Sequence, residues 1–203
     1  MNDLINAWKN KVVFDKQLKF NEQEFSSYPL HWVSSLQLME HFKVTSILDV
    51  GCGCGSFYKV CKDSLPEVFY EGADYSEDAI SLAKKRWEYD GFHVKDVMNL
   101  VKEDVESFDL IFLGAVLDVS PKGDDLLDHI LSLDAKNILI GRAKLTNETS
   151  FYETYTAYDE ITTCAYYHNK KNFVDSCEMS GYDIFSIGDN YFLRSRKHNV
   201  ESS

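Results

Sequence analysis

Apolar residues along this chain recur in two alternating rhythms. Short runs such as Ile47-Leu48-Asp49-Val50, Phe108 to Gly114 and Asn137 to Gly141 are mainly apolar, and Ile47, Leu48 and Val50 have the branched, apolar character of a strand buried on both faces. Between them lie helical stripes. Ser56 to Ser64 can open a helix directly after the first run. Ala79, Ile80, Ala83 and Trp87 follow a capping Ser76 with Glu77 and Asp78 in the first turn, and Gly91 marks the predicted end. A third stripe, Leu126, Leu127, Ile130 and Leu131, follows Pro121. Upstream, Pro29 to Phe42 predicts a helix with Trp32, Val33, Leu36 and Met39 on one side. Downstream, Asn172 to Ser180 reads as a helix closed by Gly181, and two short strands around Gly188-Asp189-Asn190 read as a hairpin. Strands alternating with helices imply a parallel sheet with helices on both faces.

Two stretches lack a clear period. Residues 1–28 are polar and aromatic, which predicts a partly irregular arm laid over the domain. Lys144 to Asn169 reads as a long connection dense in aromatics: Phe151, Tyr152, Tyr155, Tyr158, Tyr166 and Tyr167, followed by His168. Connections of that length commonly serve as lids or binding elements, and these aromatics can equally pack a small subdomain or a dimer contact.

The most specific local feature is Asp49-Val50-Gly51-Cys52-Gly53-Cys54-Gly55, where a buried strand runs into glycines at alternate positions. Glycine there supplies positive φ and lets backbone approach a ligand, while the following helix turns its N-terminal amides to the same crevice. A nucleotide-like ligand at the carboxyl end of a parallel strand is the default inference. The dinucleotide fingerprint G-x-G-x-x-G needs a glycine at the position of Ser56, so a nicotinamide or flavin reading is disfavoured.

The run D-x-G-x-G-x-G resembles motif I of the class I S-adenosylmethionine-dependent methyltransferases, and the resemblance continues over residues 44–144. Gly72-Ala73-Asp74-Tyr75-Ser76 is similar to that family's second motif. Phe92 to Val97 resembles its third strand, and the runs after 108 and 137 its fourth and fifth. The resemblance implies a three-layer α/β/α Rossmann-like fold with a mostly parallel seven-stranded sheet ending in an antiparallel hairpin. It implies S-adenosylmethionine as cofactor and S-adenosylhomocysteine as product. By the same carry-over, Asp49, Gly51 and Gly53 approach the methionine moiety, Asp74 and Tyr75 the ribose and adenine edge, Asp96 and Val97 the adenine, and Gly114 contributes backbone after strand four. One domain over 1–203 is expected: arm and capping helix 1–43, cofactor core 44–144, aromatic acceptor-side insertion 145–170, last helix and hairpin 171–197.

Composition narrows the partners. The chain has 203 residues, 44% of them apolar, enough for one sizeable core. Its 33 acidic against 21 basic residues give a net charge of −12, which repels phosphodiester backbones, and Arg194 to Lys197 reads as a solvated strand end. A nucleic-acid acceptor is therefore disfavoured. Cysteines 52, 54, 61, 164 and 177 show no paired metal-binding spacing, so no metal is expected. Asp3, Lys9, Lys11 and Asp15 interrupt any signal-peptide core, and no run reaches a membrane span. The reading is a cytoplasmic protein, with a homodimer left open.

The segment after strand four narrows the acceptor. Gly114-Ala115-Val116-Leu117-Asp118 lacks the Asn/Asp-Pro-Pro-aromatic motif of enzymes that methylate adenine or glutamine amino groups. A small-molecule or glycan-like acceptor methylated at oxygen is the resulting expectation. A hydroxyl acceptor needs a proton removed, and the candidates are His168 in the aromatic insertion, His31 at the start of the capping helix and Asp118. His93, His129 and His198 read as structural or tail residues. Arg142 and Lys144 are placed to clamp a carboxylate or phosphate, or else to pair with surface acids. The alternative from another class is an inactive cofactor-binding sensor or partner subunit with the same fold.

Overall fold

Strand-forming runs and helical stripes assemble into three layers in the computed structural model, which describes residues 2–198. Helices α1 (Asn2–Asn6), α2 (Lys11–Glu24) and α3 (Leu30–His41) precede strand β1 (Ser46–Val50). Then come α4 (Ser56–Ser64), β2 (Phe69–Asp74), α5 (Glu77–Trp87), β3 (Phe92–Val94), α6 (Lys102–Val105), β4 (Leu110–Leu113), α7 (Gly123–Ser132) and β5 (Asn137–Ile140). The last third holds β6 (Lys144–Thr146), β7 (Phe151–Ala157), β8 (Ile161–Asn169), α8 (Lys170–Met179), β9 (Tyr182–Ile187) and β10 (Asn190–Ser195).

The main sheet is seven-stranded in the order β3-β2-β1-β4-β5-β10-β9. Its first five strands are parallel, while β10 runs antiparallel to both β5 and β9. Strand periodicity divides the core between the two faces. Ile47, Leu110, Phe112, Leu139 and Phe192 point to α3, α4 and α5. Leu48, Ile111, Leu113, Ile138 and Leu193 point to α6, α7 and α8. The central strands β1, β4 and β5 are buried on both sides, which explains why their sequences read as mainly apolar runs, whereas the edge strand β3 is exposed at His93 and Val94.

Several expectations are corrected in detail. The arm is helical, and its Asn10 accepts the Val12 N–H at 3.0 Å to start α2. In α3 the buried residues are Trp32, Ser35, Leu38 and Met39, so Val33 and Leu36 lie on its flank. Helix α5 ends at Glu88, which adopts the left-handed conformation (φ 49°) before Gly91 is reached. Strand β3 stops at Val94, and Asp96 instead caps the 3-10 turn Val97–Asn99, accepting the Met98 N–H at 3.0 Å.

The largest correction concerns residues 144–169, which form a second sheet of three strands in the order β6-β8-β7. Tyr158 and Asp159 both adopt left-handed φ (55° and 58°) at the β7–β8 turn, the conformation a tight hairpin requires. Its β-branched and aromatic residues suit strands, but β7 is exposed along six of its seven residues, so it lacks an apolar alternation. The arm packs on the tip of this hairpin: Val13, Ala157 and Ile161 share a small core with Trp8 and Tyr158. Among the described residues no helix is long and apolar enough to cross a membrane.

Candidate functional site

A cavity of about 950 Å³ opens at the carboxyl ends of β1, β2 and β4, between the main sheet, the arm and the hairpin tip. That volume lies at the upper end of the range of small-molecule sites, enough for a cofactor and a second ligand. Every residue expected to contact the cofactor lines it: Asp49, Gly51, Gly53, Asp74, Tyr75, Asp96, Val97 and Gly114.

The floor is bare backbone. Gly51 (φ +76°) donates its N–H to Ala73 O at 2.7 Å, and a Cβ there would stand 2.4 Å from Val116 Cγ2. At Gly53 (φ +53°) a Cβ would find only Gln17 Oε1, 3.9 Å away, so the space above this residue is open cavity. Cys52 and Cys54 are largely buried, form no disulfide and contribute to the cavity lining within the turn. All five cysteines are free, and no group of three metal-ligating side chains occurs among the described residues.

Two carboxylates flank the floor. Asp74 accepts the Gly53 N–H at 3.0 Å and the Ser76 N–H at 2.9 Å, one on each oxygen, which leaves a second lone pair on each for a ligand. Burial raises its pKa, and those two N–H bonds oppose the rise. Asp49 is deeper. It accepts the Tyr70 hydroxyl, and burial pushes its pKa up to about 7, with the Tyr70 bond opposing and Asp74 adding to the rise. A buried carboxyl of this kind is costly unless a cation approaches it. The set therefore suits S-adenosylmethionine, whose sulfonium and ammonium are cationic and whose ribose offers two hydroxyls. Tyr75 is held by the arm: its hydroxyl donates to Ile5 O at 2.6 Å, and the Lys9 ammonium lies 4.7 Å from its ring centre.

The opposite wall is made of side chains. Phe14, Gln17, Asn21 and Glu24 come from one face of α2, Trp8 from the turn before it, and Tyr155 and Tyr158 from the hairpin. Phe14, Gln17, Asn21 and Glu24 are spaced as one helical stripe, a signal missed because a face turned to a ligand is partly polar. His31 and Arg142 complete this wall. Arg142 follows β5 in the left-handed conformation (φ 61°), which costs a non-glycine residue about 1–2 kcal/mol. Its N–H is accepted by Asn190 Oδ1 at 3.1 Å, and the Asn190 amide donates to His31 O at 2.7 Å. Asn190, fully buried, thus ties both cavity residues to the terminal hairpin.

The three base candidates separate sharply. His31 lines the cavity, and burial, then the positive field of Arg142, lower its pKa. That favours the neutral imidazole, the form able to take a proton. His168 lies outside the lining and is 0% exposed. The alternation of β8 turns it inward, so Nδ1 meets Asp124 at 2.7 Å and its ring packs edge-on against Tyr166 and Phe173. Asp118 also lies outside the lining, 2% exposed, with burial raising its pKa and Arg142 opposing. Lys144 is turned to the Tyr167 ring, 5.5 Å from its centre, and away from the cavity lining. His93 pairs with Glu71 at 3.1 Å, and His129 meets Val97 O at 3.0 Å.

Residues 48–137 match the family model of a methyltransferase domain. Solved structures share the fold across nearly the whole chain. Streptomyces venezuelae DesVI aligns with a TM-score of 0.64 at 9% identity, over 92% of this chain and 98% of that one. Human N-acetylserotonin methyltransferase in complex with S-adenosylmethionine aligns at 0.66 and 16% identity, over 95% of this chain and 59% of that one. The sugar N-methyltransferase KedS8 from Streptoalloteichus aligns at 0.59 and 9% identity, over 86% and 92%. No curated protein matches the sequence.

Proposed function

We propose that this chain, whose residues 48–137 match the model of a methyltransferase domain, is a class I S-adenosylmethionine-dependent methyltransferase that methylates a small-molecule or glycan-like acceptor at oxygen, with His31 as general base. One observation carries the reading: among the histidines of the described residues, only His31 lines the cavity. S-adenosylmethionine, when bound, supplies a methyl group already activated on sulfur. The protein then has to position, to exclude water and to move one proton.

Asp74 would accept the ribose hydroxyls, the Asp96 and Val97 segment would meet the adenine, and Gly51, Gly53 and Asp49 would hold the methionine end. The acceptor would lie between Tyr155, Tyr158 and Phe20, its hydroxyl against His31. Held neutral, that imidazole accepts the hydroxyl proton as the oxygen attacks. A nitrogen acceptor is the second reading, favoured by the likeness to KedS8, a sugar N-methyltransferase.

The test is a methyl-transfer screen of hydroxylated and aminated aromatics and sugars, with the methylated atom read by NMR. On an oxygen acceptor, His31→Ala should lower kcat by roughly 10²–10⁴ and leave affinity for S-adenosylhomocysteine unchanged. Transfer to nitrogen alone, or full turnover by the variant, would overturn the assignment.

A further inference from the structure

We infer that Arg142 sets acceptor specificity by binding an oxyanion, a carboxylate or a phosphate, carried by the acceptor. This deepens the proposed function and rests on it.

Arg142 stands at the seam of the two sheets, and three consecutive N–H groups fix its backbone there. Gly141 donates to Leu113 O at 2.9 Å, Arg142 to Asn190 Oδ1 at 3.1 Å, and Ala143 to Asp189 O at 3.0 Å. The left-handed backbone of a non-glycine residue is thus held in place from several directions, and strain of this kind collects at functional sites. The side chain that this backbone presents lines the cavity.

Its guanidinium is left uncommitted. Its ion-pair contact among the described residues is Asp118 Oδ2 at 4.0 Å, beyond hydrogen-bond reach. A structural pair in a cavity wall would close into a bidentate fork with both carboxylate oxygens satisfied. Here Asp118 Oδ1 is buried with no partner, so the pair is half-made. Asp118 balances the charge from behind the wall while the planar donor set of the arginine stays available to a ligand. Glu24 lines the same wall and also feels the field of Arg142, but makes no ion pair with it within 4.0 Å among the described residues. The reacting base and the clamp are neighbours, since Asn190 bonds both His31 and Arg142. An acceptor anchored on Arg142 would place its nucleophile near that base.

The test uses full-length protein saturated with S-adenosylhomocysteine and titrated with salicylate, 4-hydroxybenzoate, phenyl phosphate and the two neutral hydroxybenzamides. Expected is binding of at least one anion, with neither amide matching it. Arg142→Met should weaken that anion tenfold or more while affinity for S-adenosylhomocysteine stays unchanged, which also reports that the variant is folded. Arg142→Lys, which keeps the charge and loses the fork, should fall between. Preference for benzoates or for phenyl phosphate identifies the anion. Equal binding of anions and amides, no anion binding, or wild-type anion affinity in Arg142→Met overturns the inference. Failure of the wild type to bind S-adenosylhomocysteine would instead overturn the functional reading beneath it.

Discussion

The two walls of the cavity are built by different physics. One is backbone and carboxylate at the ends of parallel strands: Gly51 and Gly53 have no side chain to move, and Asp74 is locked by two N–H bonds of its own chain. The other is side chains from the arm, the hairpin tip and the sheet seam, joined by ring contacts such as Trp8 with Tyr158 at 6.4 Å and Phe20 with Tyr158 at 5.7 Å. The first wall is preorganised for one ligand. The second can change its aromatic and charged residues without disturbing the sheet, so specificity can vary on a constant cofactor site. Changes on the first wall should therefore move cofactor affinity, and changes on the second acceptor kinetics.

The largest expected effect is on the first wall. If Asp74 takes the ribose hydroxyls as proposed, Asp74→Ala would remove two charge-assisted bonds, each worth about 1.5–3 kcal/mol, and should weaken S-adenosylhomocysteine by about 100-fold or more in calorimetry. The fold should hold with reduced stability, because removing a carboxyl that is costly to bury partly offsets the loss of the acceptor for the Gly53 and Ser76 N–H groups. Affinity within a few-fold of wild type would erase the distinction between the walls.

Asp49 gives the next effect. Its folded pKa is about 7, raised chiefly by burial, against 3.8 when unperturbed. The folded protein thus holds this proton more tightly than the unfolded chain does. That contribution to stability is complete below about pH 4 and is lost as pH rises through 7. Affinity for the cationic cofactor should run the other way, falling by up to roughly tenfold for each pH unit below 7 as the carboxyl takes up its proton. Asp49→Asn should flatten both slopes in chemical denaturation and calorimetry, and slopes that persist would place the titrating group elsewhere.

The same contrast explains what could be read from sequence. The first wall is local: glycines at alternate positions after a buried strand, and an acid at the end of the next strand, each sit in a short run that obeys short-range rules. The second joins residues 8–24, 31, 142 and 155–158, which only the folded chain brings together. Residues 144–169 read as irregular because both faces of β7 are wet, so hydrophobic alternation had nothing to report. His168 looked available because it sits among aromatics, yet aromatics on a middle strand more often mark a core. Trp8 and Glu24 escaped notice because polar and aromatic residues that face a ligand break the apolar stripe by which a helix is recognised.

Asn190→Ala tests the second wall. It leaves the Arg142 N–H without its acceptor and takes one of two side-chain donors from the His31 carbonyl, which keeps the Ser35 hydroxyl at 2.8 Å; a small misplacement of both groups should raise KM for the acceptor and lower kcat severalfold. Affinity for S-adenosylhomocysteine should stay within about twofold, since Asn190 lies outside the cavity lining. Equal loss of cofactor affinity would mean that the two walls are mechanically one.

The smallest effect concerns how the arm is held. Lys16 bonds Tyr158 O at 2.6 Å and Glu160 at 2.9 Å, joining α2 to the hairpin tip. The pair is about a third exposed on the lysine side, so it should be worth less than about 1 kcal/mol and weaken with salt. Lys16→Met should leave global stability almost unchanged yet speed amide hydrogen exchange within residues 11–24, because local opening of the arm needs only its own contacts broken. If exchange there is unchanged, the rings of Trp8, Phe20 and Tyr158 hold the arm unaided; if it quickens as far as residues 46–74, the arm braces the cofactor wall as well.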